Sequence, residues 1–159
     1  MRRKVLIVDD DPYLTTQLRK LLESEELSVD TVSSAQEALT MLGTSDYSLM
    51  ITDLRMPGMG GMDLIREVGQ RRVLVTIIVT TAFGSFDRVV EAMRLGAYDF
   101  LTKPIDPTNL KLVTDRALKK RALQDEVLRL RQQLKENYSF NNIISKNPRM
   151  HSIFELVRH

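Results

Sequence analysis

Ser48-Leu49-Met50-Ile51-Thr52-Asp53-Leu54-Arg55-Met56-Pro57-Gly58 ends a short apolar run in one carboxylate, and the chain then turns at Pro57-Gly58. A run of that length bounded by turn residues reads as a buried strand. A carboxylate at the carboxyl end of such a strand stands where open parallel sheets place their ligands. Taken alone, Asp53 has two readings: a side chain that opens a turn, or a nucleophile that accepts a phosphoryl group. The neighbouring strands decide between them.

Outward from Asp53, the chain through Asp106 repeats a strand and a helix five times. Lys4-Val5-Leu6-Ile7-Val8 runs into Asp9-Asp10-Asp11, and Asp11-Pro12 predicts an N-cap followed by proline at the first helical position. Leu14, Leu18, Leu21 and Leu22 give that helix an apolar stripe. A weaker strand spans Ser28 to Val32. Ser34-Ala35-Gln36-Glu37 then reads as a capping box, with Gly43 closing the helix. After Asp53 a helix is expected from Met62 to Gln70. The fourth strand, Val73 to Thr80, ends at Thr81-Ala82, and Ser85 is expected to cap a helix running to Leu95 and stopping at Gly96. The fifth strand, Tyr98 to Leu101, leads to Thr102-Lys103-Pro104, and a last helix starts after Asp106-Pro107.

Strands alternating with helices imply parallel pairing, and strands this apolar need cover on both faces. The expected fold is α/β: a five-stranded parallel doubly wound sheet followed by a long linker helix. Its loops at one edge gather Asp9, Asp10, Asp53, Thr81 and Lys103. Crowded carboxylates repel one another, so the cluster needs a cation or raised pKa values. A hard divalent ion suits oxygen ligands, and Mg2+ is the abundant choice. Lys103 supplies a fixed positive charge, while the Thr81 hydroxyl and the Ala82 N–H are donors for phosphoryl oxygens. Each residue alone has an ordinary explanation: capping for the Asp run, a strand end for Thr81, a solvated loop lysine for Lys103. Their combination on separate strand ends of one domain points to phosphoryl chemistry at a carboxylate.

The composition, 43% hydrophobic and 28% charged in 159 residues, is that of a soluble domain with an appendage. Cysteine is absent from the sequence, which excludes a disulfide framework and a thiolate metal site and is compatible with the cytoplasm. No apolar run approaches a membrane span, and the four apolar residues after Met1-Arg2-Arg3-Lys4 are too few for a signal peptide. Charge is uneven: 12 Lys and Arg stand against 16 Asp and Glu through Asp106, and 11 against 5 thereafter.

The motifs Val5-Leu6-Ile7-Val8-Asp9-Asp10-Asp11, Asp53-Leu54-Arg55-Met56-Pro57-Gly58-Met59, Thr81-Ala82 and Gly96-Ala97-Tyr98-Asp99-Phe100-Leu101-Thr102-Lys103-Pro104 together resemble the receiver domain of two-component response regulators. The resemblance covers residues 1–120 and implies a flavodoxin-like sheet of order 2-1-3-4-5. It implies Asp53 as phospho-acceptor and the phosphohistidine of a sensor histidine kinase as donor. Mg2+ would be held by Asp10, Asp53 and the backbone carbonyl of Arg55, with Asp9 acting mainly through water. Lys103 would contact the phosphate, and its bond to Pro104 would be cis. Thr81 and Phe100 fall on the family's switch positions, and Arg55 and Phe83 where it tunes dephosphorylation.

From Pro107 to Asn137 there is no glycine and no internal proline, so one long helix is expected over 107–138. Leu123, Val127, Leu130 and Leu134 alternate spacings of four and three, the seam of a coiled coil, and predict a parallel homodimer. The competing reading is a helix lying on its own domain. Lys119-Lys120-Arg121, Arg129 and Arg131 read as solvated faces before they read as a nucleic-acid surface. Phe140 to Met150 is expected as a loop, with a helix beginning near His151. This 139–159 segment resembles the opening of the AAA+ ATPase domain in sigma-54-dependent activators, departing at Ser145, where glycine is usual. The Gly-rich phosphate loop of that ATPase is not in the sequence, so ATP hydrolysis, sigma-54 RNA polymerase and DNA would be engaged only through parts beyond residue 159. His151 and His159 read as structural or solvated. The expectation is a switching module with self-limited phosphotransfer, not a conventional enzyme. The alternatives are a Mg2+-dependent phosphatase with an Asp nucleophile, against which Arg55 stands where a second acid would be needed, and a dimerisation module independent of phosphorylation.

Overall fold

A computed structural model describes residues 2–82 and 85–144, excluding the side chains of 140–144. Phe83, Ser145, His151, His159 and most of the expected further domain lie outside the described residues. The elements in order are β1 (Arg3–Val8), α1 (Pro12–Leu22), β2 (Leu27–Val32), α2 (Ala35–Thr44), β3 (Leu49–Asp53), α3 (Gly61–Gln70), β4 (Thr76–Ala82), α4 (Phe86–Leu95), β5 (Asp99–Lys103) and α5 (Pro107–Ile144). The strands form one sheet of order β2-β1-β3-β4-β5, and every pairing is parallel. The chain divides into two compact units, Met1–Arg121 and Ala122–His159. Among the described residues, no helix is long and apolar enough to cross a membrane.

Alternation along the strands builds two cores. Leu6, Val8, Met50, Ile77 and Val79 join Ala38, Leu42, Leu64, Ile65, Val68 and Ala92 on one face. Val5, Ile7, Leu49, Ile51, Ile78 and Leu101 join Leu18, Leu22, Leu110, Val113 and Ala117 on the other. Helices α2, α3 and α4 therefore cover one face of the sheet, and α1 with the start of α5 covers the other. Burying each such side chain contributes about 1.5–3 kcal/mol. This two-sided cover explains why the central strands read as continuous apolar runs.

Local signals decide the element boundaries. Asp11 caps α1, its carboxylate accepting from the Tyr13 N–H at 3.0 Å and the Leu14 N–H at 3.4 Å, with Pro12 in the first turn. Ser34 caps α2 by accepting from the Glu37 N–H, but Glu37 reaches back to the Ser33 N–H rather than to that of Ser34. Gly43 does not close α2. It lies inside the helix, and the chain leaves at Ser45 in an extended conformation that needs no glycine. β4 begins at Thr76 and not Val73, because α3 ends in a turn with Arg72 at φ 55° and Val73 still donates to the Val68 carbonyl at 3.1 Å. Val73 and Val75 pack on the core from this turn, which gives them the look of strand residues. Ser85 precedes α4 without a side-chain capping bond. The helix expected to stop near Tyr138 continues to Ile144, overturning the loop reading of Phe140–Ile144. No proline or glycine interrupts that stretch before Pro148, and polar asparagines alone do not break a helix.

The amino ends of the strands are tied by a buried cation. Arg121 is 4% exposed. Its guanidinium donates to the carbonyls of Tyr47 and Leu74, both at 2.8 Å, just before β3 and β4, and to Asp46 at 3.1 Å. Arg121→Met leaves two carbonyls without this donor and is expected to cost about 2–4 kcal/mol of stability in urea denaturation. Asp46→Ala removes a carboxylate that is 83% exposed, so it is expected to cost less than about 1 kcal/mol in the same measurement.

Candidate functional site

The site forms where the chain order of the sheet reverses. β1 lies between β2 and β3, so the loops after β1 and β3 diverge and leave a crevice at the carboxyl ends. β1 delivers Asp9 and Asp10, and β3 ends on Asp53. Carboxylate oxygens of Asp9, Asp10 and Asp53 all lie within 4.8 Å of one another. The Asp run after β1 thus divides into distinct roles. Asp9 is buried and accepts from the Asp11 N–H at 2.9 Å, Asp10 is exposed at the cluster, and Asp11 caps α1.

Lys103 comes from β5, separated from β3 by β4. Its ammonium donates to Asp9 at 3.0 Å and to Asp53 at 3.1 Å. The Lys103–Pro104 bond is cis. Burial pushes the Asp9 carboxyl above its usual range, and the Asp11 N–H and Lys103 only partly offset it. Burial acts to lower Lys103, but its hydrogen bonds to Asp9 and Asp53 and their charges outweigh it, so the ammonium is held above its ordinary value. The two shifts differ in origin: burial raises Asp9, whereas the paired carboxylates raise the half-buried Lys103. That donor set of clustered carboxylate oxygens fits a hard divalent ion of the Mg2+ class.

β4 brings its own groups alongside. Asp53 pairs in register with Thr80, so Thr81 and Ala82 stand at the next positions. Thr81 is buried, and its hydroxyl donates to the Ala82 carbonyl at 3.4 Å, long for an O–H donor. Phe100 on β5 pairs with Val79 of β4 and is 39% exposed. Arg55 presents its backbone N–H to Asp53 at 3.3 Å. Leu123, Val127, Leu130 and Leu134 belong to the other compact unit and are exposed.

A parallel α/β sheet with an acid cluster at its switch point and a lysine between two of the acids defines a flavodoxin-like domain whose carboxylates could hold a metal ion. The pattern of the response regulator receiver domain family matches residues 5–115, and the chain belongs to that family. It is 35% identical over 155 residues to the C4-dicarboxylate transport transcriptional regulatory protein DctD of Pseudomonas aeruginosa, covering 97% of this chain and 34% of that protein. It is 32% identical over 151 residues to the DNA-binding transcriptional regulator NtrC of Klebsiella pneumoniae, covering 95% of this chain and 31% of that one. The chain thus spans about a third of the length of these relatives. Among solved structures, the signal receiver domain of a LuxO repressor protein from Vibrio parahaemolyticus superposes with a TM-score of 0.76 at 32% identity, covering 80% of this chain and 98% of that one.

Two residues that bear on the site carry no legible motif. Arg88 on α4 lines a cleft with Arg55 beside the Asp53 loop. Gly61 is forced by close approach: a Cβ there would lie 2.2 Å from the Asp53 carbonyl oxygen and 2.8 Å from the Leu54 Cα. Its N–H donates to the Leu54 carbonyl at 3.1 Å, so α3 starts pressed against the end of β3. The signal lay in the pair Gly60-Gly61 where a helix begins, a place that favours Ser, Thr, Asp or Asn. Gly61→Ala is expected to destabilise the fold by about 1–3 kcal/mol and to weaken divalent-cation binding by displacing Asp53, read by chemical denaturation and by Mg2+ titration. Gly43→Ala, with no atom within 4 Å of the added carbon, is expected to stabilise by about 0.5–1 kcal/mol.

Proposed function

We propose that this chain is the phospho-accepting input module of a two-component transcriptional regulator, with Asp53 as the acceptor. The carrying observation is Lys103, held 3.0 Å from Asp9 and 3.1 Å from Asp53 inside an acid cluster from two other strands. An ammonium so placed is ready to meet a phosphoryl oxygen beside the nucleophile. An Asp53 carboxylate oxygen attacks phosphorus, the P–N bond to the donor imidazole breaks, and its electron pair returns to the ring. The imidazole leaves neutral when its second nitrogen carries a proton. Asp9, Asp10, Asp53 and the Arg55 carbonyl would hold Mg2+, which when bound supplies positive charge against the transferring group. Thr81 and Ala82 offer a hydroxyl and an N–H to its oxygens.

The donor is a sensor histidine kinase. A groove of about 690 Å3 lined by Tyr13, Gln17, Leu21, Pro104 and Ile105 also includes Lys103 and Asp11, and so opens onto the site. A phosphorylated Asp53 brings roughly two negative charges. The Thr81 hydroxyl, with only a long bond to leave, turns towards them, and Phe100, 39% exposed, turns inward to fill its place. These packing events bias α4 and the surfaces beside it.

Output runs through a homodimer. Leu123, Val127, Leu130 and Leu134 are 69%, 44%, 46% and 59% exposed along one stripe of α5, apolar surface suited to a second copy. Sigma-54 RNA polymerase and DNA are reached through further domains, as the regulators DctD and NtrC suggest by their length, and the setting is the cytoplasm.

Incubation with a small phosphodonor and Mg2+ is expected to add one phosphoryl group by intact mass, and Asp53→Asn to abolish it. An adduct that persists in that variant overturns the reading. Leu130→Glu is expected to weaken self-association at least about tenfold, a loss of some 1.4 kcal/mol, measured by sedimentation. An unchanged association constant removes the seam.

A further inference from the structure

A thioether in the loop after Asp53 is open to small oxidants. The sequence holds eight methionines and no cysteine, so thioethers are its only sulfur groups. Their settings differ. Met50 on β3 is fully buried, and Met93 on α4 is exposed. Met56 is half-buried and meets two environments. It packs against the core between the sheet and α2, α3 and α4, and it also lines a cleft of about 470 Å3 that has room for a peroxide molecule. The position is tied to Asp53 through the backbone. Arg55 and Met56 share one planar peptide unit, which carries the Arg55 carbonyl and the Met56 N–H. On the other side of that residue, the Arg55 N–H donates to Asp53 at 3.3 Å. The packing of the Met56 side chain on the core therefore helps to fix the orientation of the Arg55 carbonyl.

We propose that Met56 is a site of reversible oxidation, and that its sulfoxide weakens divalent-cation binding at the acid cluster and with it phosphoryl uptake at Asp53. The inference rests on the reading of Asp53 as phospho-acceptor and of the Arg55 carbonyl as a cation ligand. The oxidant is a small hydroperoxide such as hydrogen peroxide. A sulfur lone pair attacks one peroxide oxygen, the O–O bond breaks, and its electron pair leaves with the other oxygen as hydroxide. The proton on the new S–OH group passes to that hydroxide, which gives the sulfoxide and water. Sulfur loses two electrons and the peroxide gains them. The sulfoxide is polar, and burying it without a hydrogen-bond partner is costly. The side chain leaves the core for the cleft, the peptide plane at Arg55 turns with it, and the carbonyl is displaced. A dithiol-dependent methionine sulfoxide reductase removes the oxygen as water and forms a disulfide, which returns Met56 to the core.

The test treats the full chain with hydrogen peroxide and locates added oxygen by peptide mass mapping. Mg2+ affinity is then read by titration, and phosphorylation by a small phosphodonor is read by intact mass. One oxygen is expected at Met56, with Mg2+ affinity lowered about tenfold. Methionine sulfoxide reductase with a dithiol is expected to restore it. Met56→Leu, which keeps the volume of the side chain, is expected to hold its Mg2+ affinity through the same treatment. The Met59→Leu, Met62→Leu double variant is expected to lose affinity as the wild type does. Oxygen at Met93 but not at Met56 overturns the proposal. So does a Met56 sulfoxide with unchanged affinity, or a loss that Met56→Leu does not prevent or the reductase does not reverse. Untreated protein that binds Mg2+ but gains no phosphoryl group overturns the acceptor alone, since the change in Mg2+ affinity reads Met56 without it. Untreated protein that does neither overturns both.

Discussion

Lys103 between Asp9 and Asp53 is the contact on which the site depends, and it leaves the charge unbalanced. One ammonium meets oxygens of two carboxylates, and a third carboxylate stands within 4.8 Å. At that separation each pair of like charges repels by roughly 3 kcal/mol with an effective dielectric near 20. Such a cluster does not assemble itself. It is held by strands whose remaining residues are buried on both faces: Val5 to Val8, Leu49 to Ile51 and Ile78 to Val79 are all at most 1% exposed. Each large apolar side chain among them contributes about as much as one repulsion costs. The hydrophobic layers thus store the electrostatic tension that a cation would relieve.

The two ends of the sheet solve opposite problems with the same means. At the carboxyl ends, surplus negative charge surrounds one lysine. At the amino ends, a buried guanidinium finds backbone carbonyls of the residues leading into β3 and β4. These two strands carry Asp53 and Thr81 at their other ends. Arginine suits this task because its fork reaches two acceptors at once, which a lysine's single ammonium does less well. Arg121 therefore closes the receiver unit from below while Lys103 crosses it from above.

What the sequence made legible follows from periodicity and short range. The apolar runs, their acidic ends and the Asp11-Pro12 start are signals within a few residues, whereas strand order came only with the receiver resemblance. Gly43 misled because a glycine near a helix end signals a left-handed turn only if the chain takes one, and Ser45 leaves extended. Val73 to Val75 misled because apolar turn residues packed on a core look like strand. Arg121 read as part of a solvated face yet is buried, and Gly61 showed only as one of a glycine pair where a helix begins. Arg121 meets Tyr47 from 74 positions away, and Gly61 is demanded by a backbone that approaches from β3.

α5 shows how one uninterrupted helix can answer two physical demands. From Pro107 to Arg121 it behaves as a core element: Leu110, Val113, Thr114, Ala117 and Arg121 are buried. Beyond Arg121 the apolar residues keep helical spacing but are uncovered at Leu123, Val127, Leu130 and Leu134. Ion pairs such as Arg129 with Glu126 support the turns there only weakly, since both side chains are solvated. Most helical stability in proteins comes from packing an apolar face, and this part of α5 leaves its apolar face uncovered. An apolar stripe maintained at alternating spacings of four and three, uncovered among the described residues, is what a partner helix would require. On the proposed homodimer, a second copy would supply that cover.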